Sequence, residues 1–312
     1  MKHRKDGIVW KGMGMNMMKK LTAALLAGLL VILASTALAS CKKKNTDNAD
    51  DAASYTENTV IVDYLRTESK NADGTVQKDE QGNVIYDYFR FESLDSTSTK
   101  LVEYRAEIVG TEGASMIQTH AHHAVTIPSV FGERRVTGIG EKAFYANSSI
   151  TGVNLPDGME EIGGYAFALC SNLAALTLPG SVKTIGEGAF YSCVSLAAVT
   201  FADAAELTEI PANAFFECKQ LAALTVPSYV KAIREGAFYG TESLQTLILS
   251  EGVETLGKLA FFGTKALTTL SLPSTLTEIG NQNFYGSDAL AAAGVTASGE
   301  IATAYVANMN LK

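Results

Sequence analysis

The chain has 312 residues, of which 47% are hydrophobic and 19% charged, enough apolar side chain to build a sizeable core. Six of its 25 basic residues and one of its 33 acidic residues fall in the first 40 positions, so the rest carries a formal charge of −13. A body this acidic repels phosphate backbones, which argues against a nucleic-acid partner, and four cysteines are too few for a disulfide-stapled secreted fold.

The first element is an address. Lys19 and Lys20 precede an almost uncharged apolar run over residues 21–37, and the run ends in Leu38-Ala39-Ser40-Cys41, followed by Lys42, Lys43 and Lys44. This resembles a bacterial lipobox. The resemblance implies removal of residues 1–40 as a signal peptide, lipid on the new N-terminal Cys41, and attachment to a membrane through that lipid. An uncleaved membrane anchor is the alternative, because the run approaches the ~20 residues that span a bilayer. Met17 or Met18 would start a signal of more usual length. Residues 41–58 have little to bury and are expected to act as a disordered tether. Lys42 directly after the cysteine resembles sorting to the outer membrane, so the expected location is a lipid-anchored protein of the bacterial outer membrane, at the cell surface.

Residues 59–118 hold three β-rich runs, 59–66, 84–92 and 101–109, with turn signals at Asp73-Gly74 and Gly82-Asn83. They are expected to form a small antiparallel unit that covers the open first edge of the repeats beginning near residue 119, since bare end strands invite aggregation. A separate ligand-binding module is the alternative. Within this region Ser69, Asn71, Asp73, Gly74, Gln77 and Glu80 have spacings reminiscent of a calcium loop. The first position lacks a carboxylate and the flanks are strand-like, so a hairpin turn is the preferred reading. His120, His122 and His123 could place two imidazoles on one strand face for a metal, or lie in a solvated loop. No acid or cysteine stands beside them, and no metal or other cofactor is expected.

From residue 119 the chain repeats. Phe144, Phe167, Phe190, Phe215, Phe238, Phe261 and Phe284 are spaced by 23, 23, 25, 23, 23 and 23 residues. Upstream of them recurs a pattern clearest in Leu173-Ala-Ala-Leu176-Thr-Leu178-Pro179, repeated at Leu221 to Pro227 and at Leu267 to Pro273. The Leu-x-Leu alternation makes a short strand with one buried face, and proline ends it because it cannot donate to a ladder. Glycine and alanine stand where the backbone turns tightly or approaches a neighbour. No unit can bury its own face, so stacking makes the core. Two extra residues between Phe201 and Leu207 account for the single spacing of 25.

The unit I-G-x-x-A-F-x-x-C-x-x-L-x-x-L-x-L-P resembles the BspA-type leucine-rich repeats of bacterial surface proteins, and residues 125–140 resemble the way such arrays open. The resemblance implies a mainly β fold, a right-handed solenoid of about seven 23-residue units over residues 119–293, with residues 294–312 capping its end as a short helix or strand. It also implies an exported binding scaffold, not an enzyme, that meets a protein or glycan in adhesion to a host or to other bacteria. The alternative is a periplasm-facing structural or assembly lipoprotein with no external ligand. Ser250 in place of proline and Asn283 in place of alanine depart from the pattern and are expected to weaken packing locally.

Three features inside the repeats could carry chemistry. Cys170, Cys193 and Cys218 share one phase in successive units; they are read as small buried residues bonding the turn backbone, with a Cys170–Cys193 disulfide as the alternative. No histidine lies in these units to activate a thiol. The residue after each repeat phenylalanine is aromatic at Tyr145, Tyr191, Phe216, Tyr239, Phe262 and Tyr285, broken at Ala168. These six are either packed ridge filler or an exposed contact surface. The strand positions Thr177, Thr200, Thr225 and Ser271 predict a smooth, uncharged face. No nucleophile elbow, phosphate loop or zinc-protease motif is present, and no catalytic residue is assigned.

Overall fold

The computed structural model describes residues 62–307 apart from 71–73, 79–81, 83, 110–114, 118–122, 204–205 and 293–294. The signal segment, Cys41 and the tether lie outside the described residues. Residues 59–312 form one compact unit.

In chain order, an antiparallel β1 (Val62–Glu68), β2 (Val84–Ser93) and β3 (Ser98–Val109) is followed by β4 (Ser115–Ile117), which pairs with β3. The first coil contributes β5 (His123–Thr126), β6 (Val130–Phe131) and β7 (Arg134–Ile139). Each later coil then adds a strand of four or five residues and a return strand of two. These are β8 (Ile150–Asn154) and β9 (Glu161–Ile162), β10 (Ala175–Leu178) and β11 (Thr184–Ile185), β12 (Ala198–Phe201) and β13 (Glu209–Ile210). They continue with β14 (Ala223–Val226) and β15 (Ala232–Ile233), β16 (Thr246–Leu249) and β17 (Thr255–Leu256), β18 (Thr269–Leu272) and β19 (Glu278–Ile279). The chain closes with β20 (Val295–Ala297) and an eight-residue helix α1 (Glu300–Ala307). The result is the mostly β solenoid of about seven coils that the repeat spacing predicts.

The long strands stack in parallel from β5 through β8, β10, β12, β14, β16 and β18 to β20 without interruption. Leucine and valine at alternate positions point inward, so Leu176, Leu224, Leu247 and Leu270 are buried while their neighbours face out. The return strands behave differently. One sheet runs β1-β2-β3-β7-β9-β11 and a second runs β13-β15-β17-β19, with a break where the repeat is 25 residues long. The cause is local. In the other coils an amide donates along the axis at this point: Gly163 to Ile139 O, Gly186 to Ile162 O, Arg234 to Ile210 O, Gly257 to Ile233 O and Gly280 to Leu256 O, all at 2.6–2.9 Å. The corresponding residue at the break is Pro211, which has no N–H to give Ile185.

A third ladder carries the turn around each core phenylalanine. Phe144, Phe167, Phe190, Phe215 and Phe238 each donate their amide to the alanine carbonyl one coil on, at 2.7–2.8 Å. Amides two residues to either side do the same where Tyr165 donates to Glu187 O and Leu169 to Tyr191 O. Aligning alternate amides along one axis requires left-handed backbone at those flanking positions, and both residues have it (φ 53° and 62°).

The phenylalanines form a buried column. Phe144 to Phe284 stack ring on ring, with centroids 4.6–5.6 Å apart and planes within 17°. Tyr104 of β3 stacks on Phe144 at 4.7 Å, and Tyr305 of α1 meets Phe284 edge-on at 6.3 Å. β3 also pairs in parallel with β7, so one continuous core runs from Ile85 to Ala302.

Both departures from the pattern find hydrogen-bond partners, although Asn283 also leaves its Oδ1 buried without one. Ser250 keeps an N–H that proline lacks and donates it to Val226 O, as Ala202 does to Leu178 O and Ser298 to Leu272 O. Asn283 turns its Nδ2 onto the carbonyls of Gly257 and Gly280, and Tyr305 OH donates to Asn283 O.

Candidate interaction surfaces

The strand face presents two outward ladders. One runs Ala124, Gly152, Ala175, Ala198, Ala223, Thr246 and Thr269; the other includes Thr177 beside Thr200, and Thr225, Ile248, Ser271 and Thr296. No position in either is charged, and Ile248 stands 39% exposed in the middle. Because Gly152 lacks a side chain, the face dips there into a shallow groove of 410 Å³ bordered by Asn154, Thr177 and Gly180. Charges gather on the return face and on the turns instead. Lys183 lies 3.3 Å from Glu160 and 3.2 Å from Glu206, Lys231 lies 3.6 Å from Glu254, and Arg234 lies 2.6 Å from Glu209. These exposed pairs are worth little individually.

The second aromatic row lies on the turn beside the core phenylalanines. Tyr191, Phe216, Tyr239, Phe262 and Tyr285 stack with centroids 4.7–5.4 Å apart and planes within 16°. Stacking at this distance covers the ring faces with each other and leaves edges and hydroxyls outward. Tyr145 is 48% exposed and stands apart, because the coil next to it has Ala168. Tyr165 joins the row instead, 6.4 Å from Tyr191, its ring lying over Gly188 where a Cβ would come within 2.4 Å of it. Sequence reasoning missed Tyr165; the available signal was a tyrosine two residues before a core phenylalanine, with glycine at the matching place one coil on.

The three repeat cysteines are free thiols, and no disulfide joins Cys170 to Cys193. Each Sγ donates to a carbonyl of the preceding coil, Cys170 to Phe144 O and Cys193 to Phe167 O at 3.1 Å, Cys218 to Phe190 O at 3.3 Å. Burial pushes the Cys170 thiol up to about 12 and raises Cys193 and Cys218 as well, so none is a nucleophile at neutral pH.

His120 and His122 lie outside the described residues. His123 is not in a solvated loop: it is on β5, buried, with Nε2 2.7 Å from Tyr104 OH and 3.3 Å from Asp87 Oδ1. Tyr104 OH donates to Asp87 Oδ1 at 2.9 Å. Burial, and then the Asp87 charge, hold the Tyr104 phenol well above its usual range. No group of three potential metal ligands occurs among the described residues. In the supposed calcium segment Gln77 turns inward and donates to Lys70 O, and Lys70 pairs with Val76 across a turn at Gly74 (φ 82°). Asn71, Asp73 and Glu80 lie outside the described residues. No helix among the described residues is long and apolar enough to cross a membrane.

Among solved structures, the chain is 28% identical to a leucine rich cell surface protein from Faecalibacterium prausnitzii A2-165, over 73% of this chain and 56% of that one, with a TM-score of 0.55. The chain thus spans little more than half of that protein's length. It is also similar to the T. pallidum leucine rich repeat protein (21% identity, 72% and 94% covered, TM-score 0.43). A leucine-rich repeat protein from Eubacterium ventriosum matches at 20% identity, over 58% and 49% of the two chains, with a TM-score of 0.49. No curated protein matches. The model of the BspA type leucine rich repeat region, in six copies, matches residues 106–206 and 201–310. With that match covering most of the chain and the coils stacked in parallel along it, the protein belongs to the BspA-type leucine-rich repeat family.

Proposed function

We propose that this protein is an exported lipoprotein, held to the outer membrane through Cys41, whose solenoid binds a protein at the cell surface in adhesion to a host or to other bacteria. The observation that carries the reading is the segregation of the surface: an uncharged, regular strand face, with the ion pairs of the coils kept to the return face and the turns. A protein partner fits this surface better than a glycan. Sugars stack on open aromatic faces, and here the ridge rings cover one another's faces. Tyr191, Phe216, Tyr239, Phe262 and Tyr285 would therefore contribute edges at the rim, and Tyr145 an exposed ring.

Eight strands ~4.8 Å apart and about four residues wide give roughly 450 Å². That is less than the ~800 Å² per partner of a standard interface, so the partner also engages the flanking turns or binds weakly. The hairpin of β1 to β3 is read as the N-terminal cap, since Tyr104 closes the phenylalanine column.

Proteinase K treatment of intact cells tests the placement. Loss of the repeat domain, with a periplasmic control protected, is expected. Full protection would overturn the surface reading and point to envelope partners.

A further inference from the structure

Among the described residues no strand pairs with the outer edge of β5. The inner face of β1 and β2 extends past β5, leaving a cleft of 530 Å³ where the strand of a preceding coil would lie. Leu65, Phe89 and Pro128 supply its apolar lining, Thr67 and Thr126 are polar, and Glu68, Lys70 and Asp87 are charged, two acids against one base. Along one wall runs the free edge of β5. His123 and Ile127 donate their amides to the β8 side, to Ser149 O and Asn154 O, so by alternation Ala124 and Thr126 direct their backbone groups into the cleft side. Gln77 Nε2, 3.4 Å from Ala124 O, already stands in for one donor of a missing strand.

Asp87 adds a charge to this hydrogen-bonding edge. Asp87 is 4% exposed as a residue, and Tyr104 OH and His123 Nε2 both address Oδ1. Among the described residues no donor reaches Oδ2, and that oxygen, which is not among the fully buried unpartnered atoms, keeps access to the cleft. A carboxylate that meets solvent only through a cleft favours a charge-assisted donor entering from it. We propose that the cleft binds an extended peptide, which adds a strand to the free edge of β5 and directs a lysine or arginine side chain onto Asp87 Oδ2. Apolar residues two places to either side of the basic one fall on Leu65 and Phe89, because alternate side chains of a strand share a face. Main-chain bonds to the Thr126 edge supply affinity, and Asp87 supplies selectivity. This site is separate from the uncharged strand face and does not depend on its having a partner.

Fluorescence polarisation with the full-length chain tests this, using a labelled Val-Thr-Lys-Thr-Val peptide and its Val-Thr-Gln-Thr-Val counterpart. The lysine peptide is expected to bind at least about tenfold more tightly. Asp87→Asn should equalise the two peptides. Thr126→Pro should remove binding of both, because it deletes an outward N–H while the bonds of β5 to β8 remain. If Asp87→Asn does not fold, Thr67→Lys replaces it: Thr67 pairs in register with Asp87, and a resident ammonium there should abolish the preference for lysine. Failure of the lysine peptide to bind overturns the proposal, including the case in which the chain's own residues 41–61 hold the cleft. So does equal binding of the two peptides by the unaltered chain.

Discussion

Two backbone positions in every coil, two residues before and two after the core phenylalanine, are left-handed, and only some of them are glycine. Lys142, Tyr165, Asn213, Leu259 and Gln282 occupy the first, and Ala146, Leu169, Ser192 and Glu217 the second. Each costs about 1–2 kcal/mol relative to glycine, and the axial ladder offsets it. Glycines divide by what surrounds them. Gly132 has φ 61° and open space around it, whereas a Cβ on Gly186 would lie 2.3 Å from Gly164 N. Gly132→Ala should therefore cost about 1 kcal/mol in urea unfolding, and Gly186→Ala about 3 kcal/mol or more. The thiols make a second test at this scale. Their folded values lie above the ordinary one near 9, so their contribution is complete below about pH 8.5 and falls as pH rises toward 12. The urea midpoint should decline between pH 8.5 and 11, and Cys170→Ser with Cys193→Ser and Cys218→Ser should flatten that decline whatever it does to the level. The buried thiol phase was legible in the sequence from its 23-residue recurrence. Tyr165 and the cluster of Asp87, Tyr104 and His123 were not, because their members join only after separate segments pack.

At the scale of elements, the extra two residues before Leu207 and the proline at 211 act on one ladder and spare another. The strand stack passes through β10, β12 and β14 unbroken, while the return ladder stops between Ile185 and Glu209. Hydrogen exchange should show this directly. Amides of Lys231 and Ala232, both bonded to Thr208 O, should exchange slowly, and those of Thr208 and Glu209 fast. Tyr229 spans the same gap, its OH donating to Ala202 O at 2.8 Å. Tyr229→Phe should cost about 1 kcal/mol in thermal or urea unfolding. The insertion could be counted in the sequence. Its consequence could not, because a missing N–H matters only when the carbonyl it would have met is known.

For the whole molecule, the ends decide solubility. A stack of identical coils exposes its core at both termini, and here Tyr104 and Tyr305 close the phenylalanine column. Deleting residues 59–118 should expose Phe144 and the edge of β7. The expected outcome is aggregation, read by light scattering on a sizing column; a monodisperse, folded remainder would show that the hairpin is not a cap.

The number of coils, their spacing, the inward leucines and the phenylalanine column were determined by the sequence alone. A period of 23 residues repeated seven times leaves one way to bury every apolar face, and each coil contacts only its neighbours. Tertiary structure alone decided the outcome at the places where the period fails: the break at Pro211, the donors of Asn283 and Ser250, and the cleft beside β5. Those places depend on which backbone group lies opposite across the stack, and that opposition exists only once the coils have closed on each other.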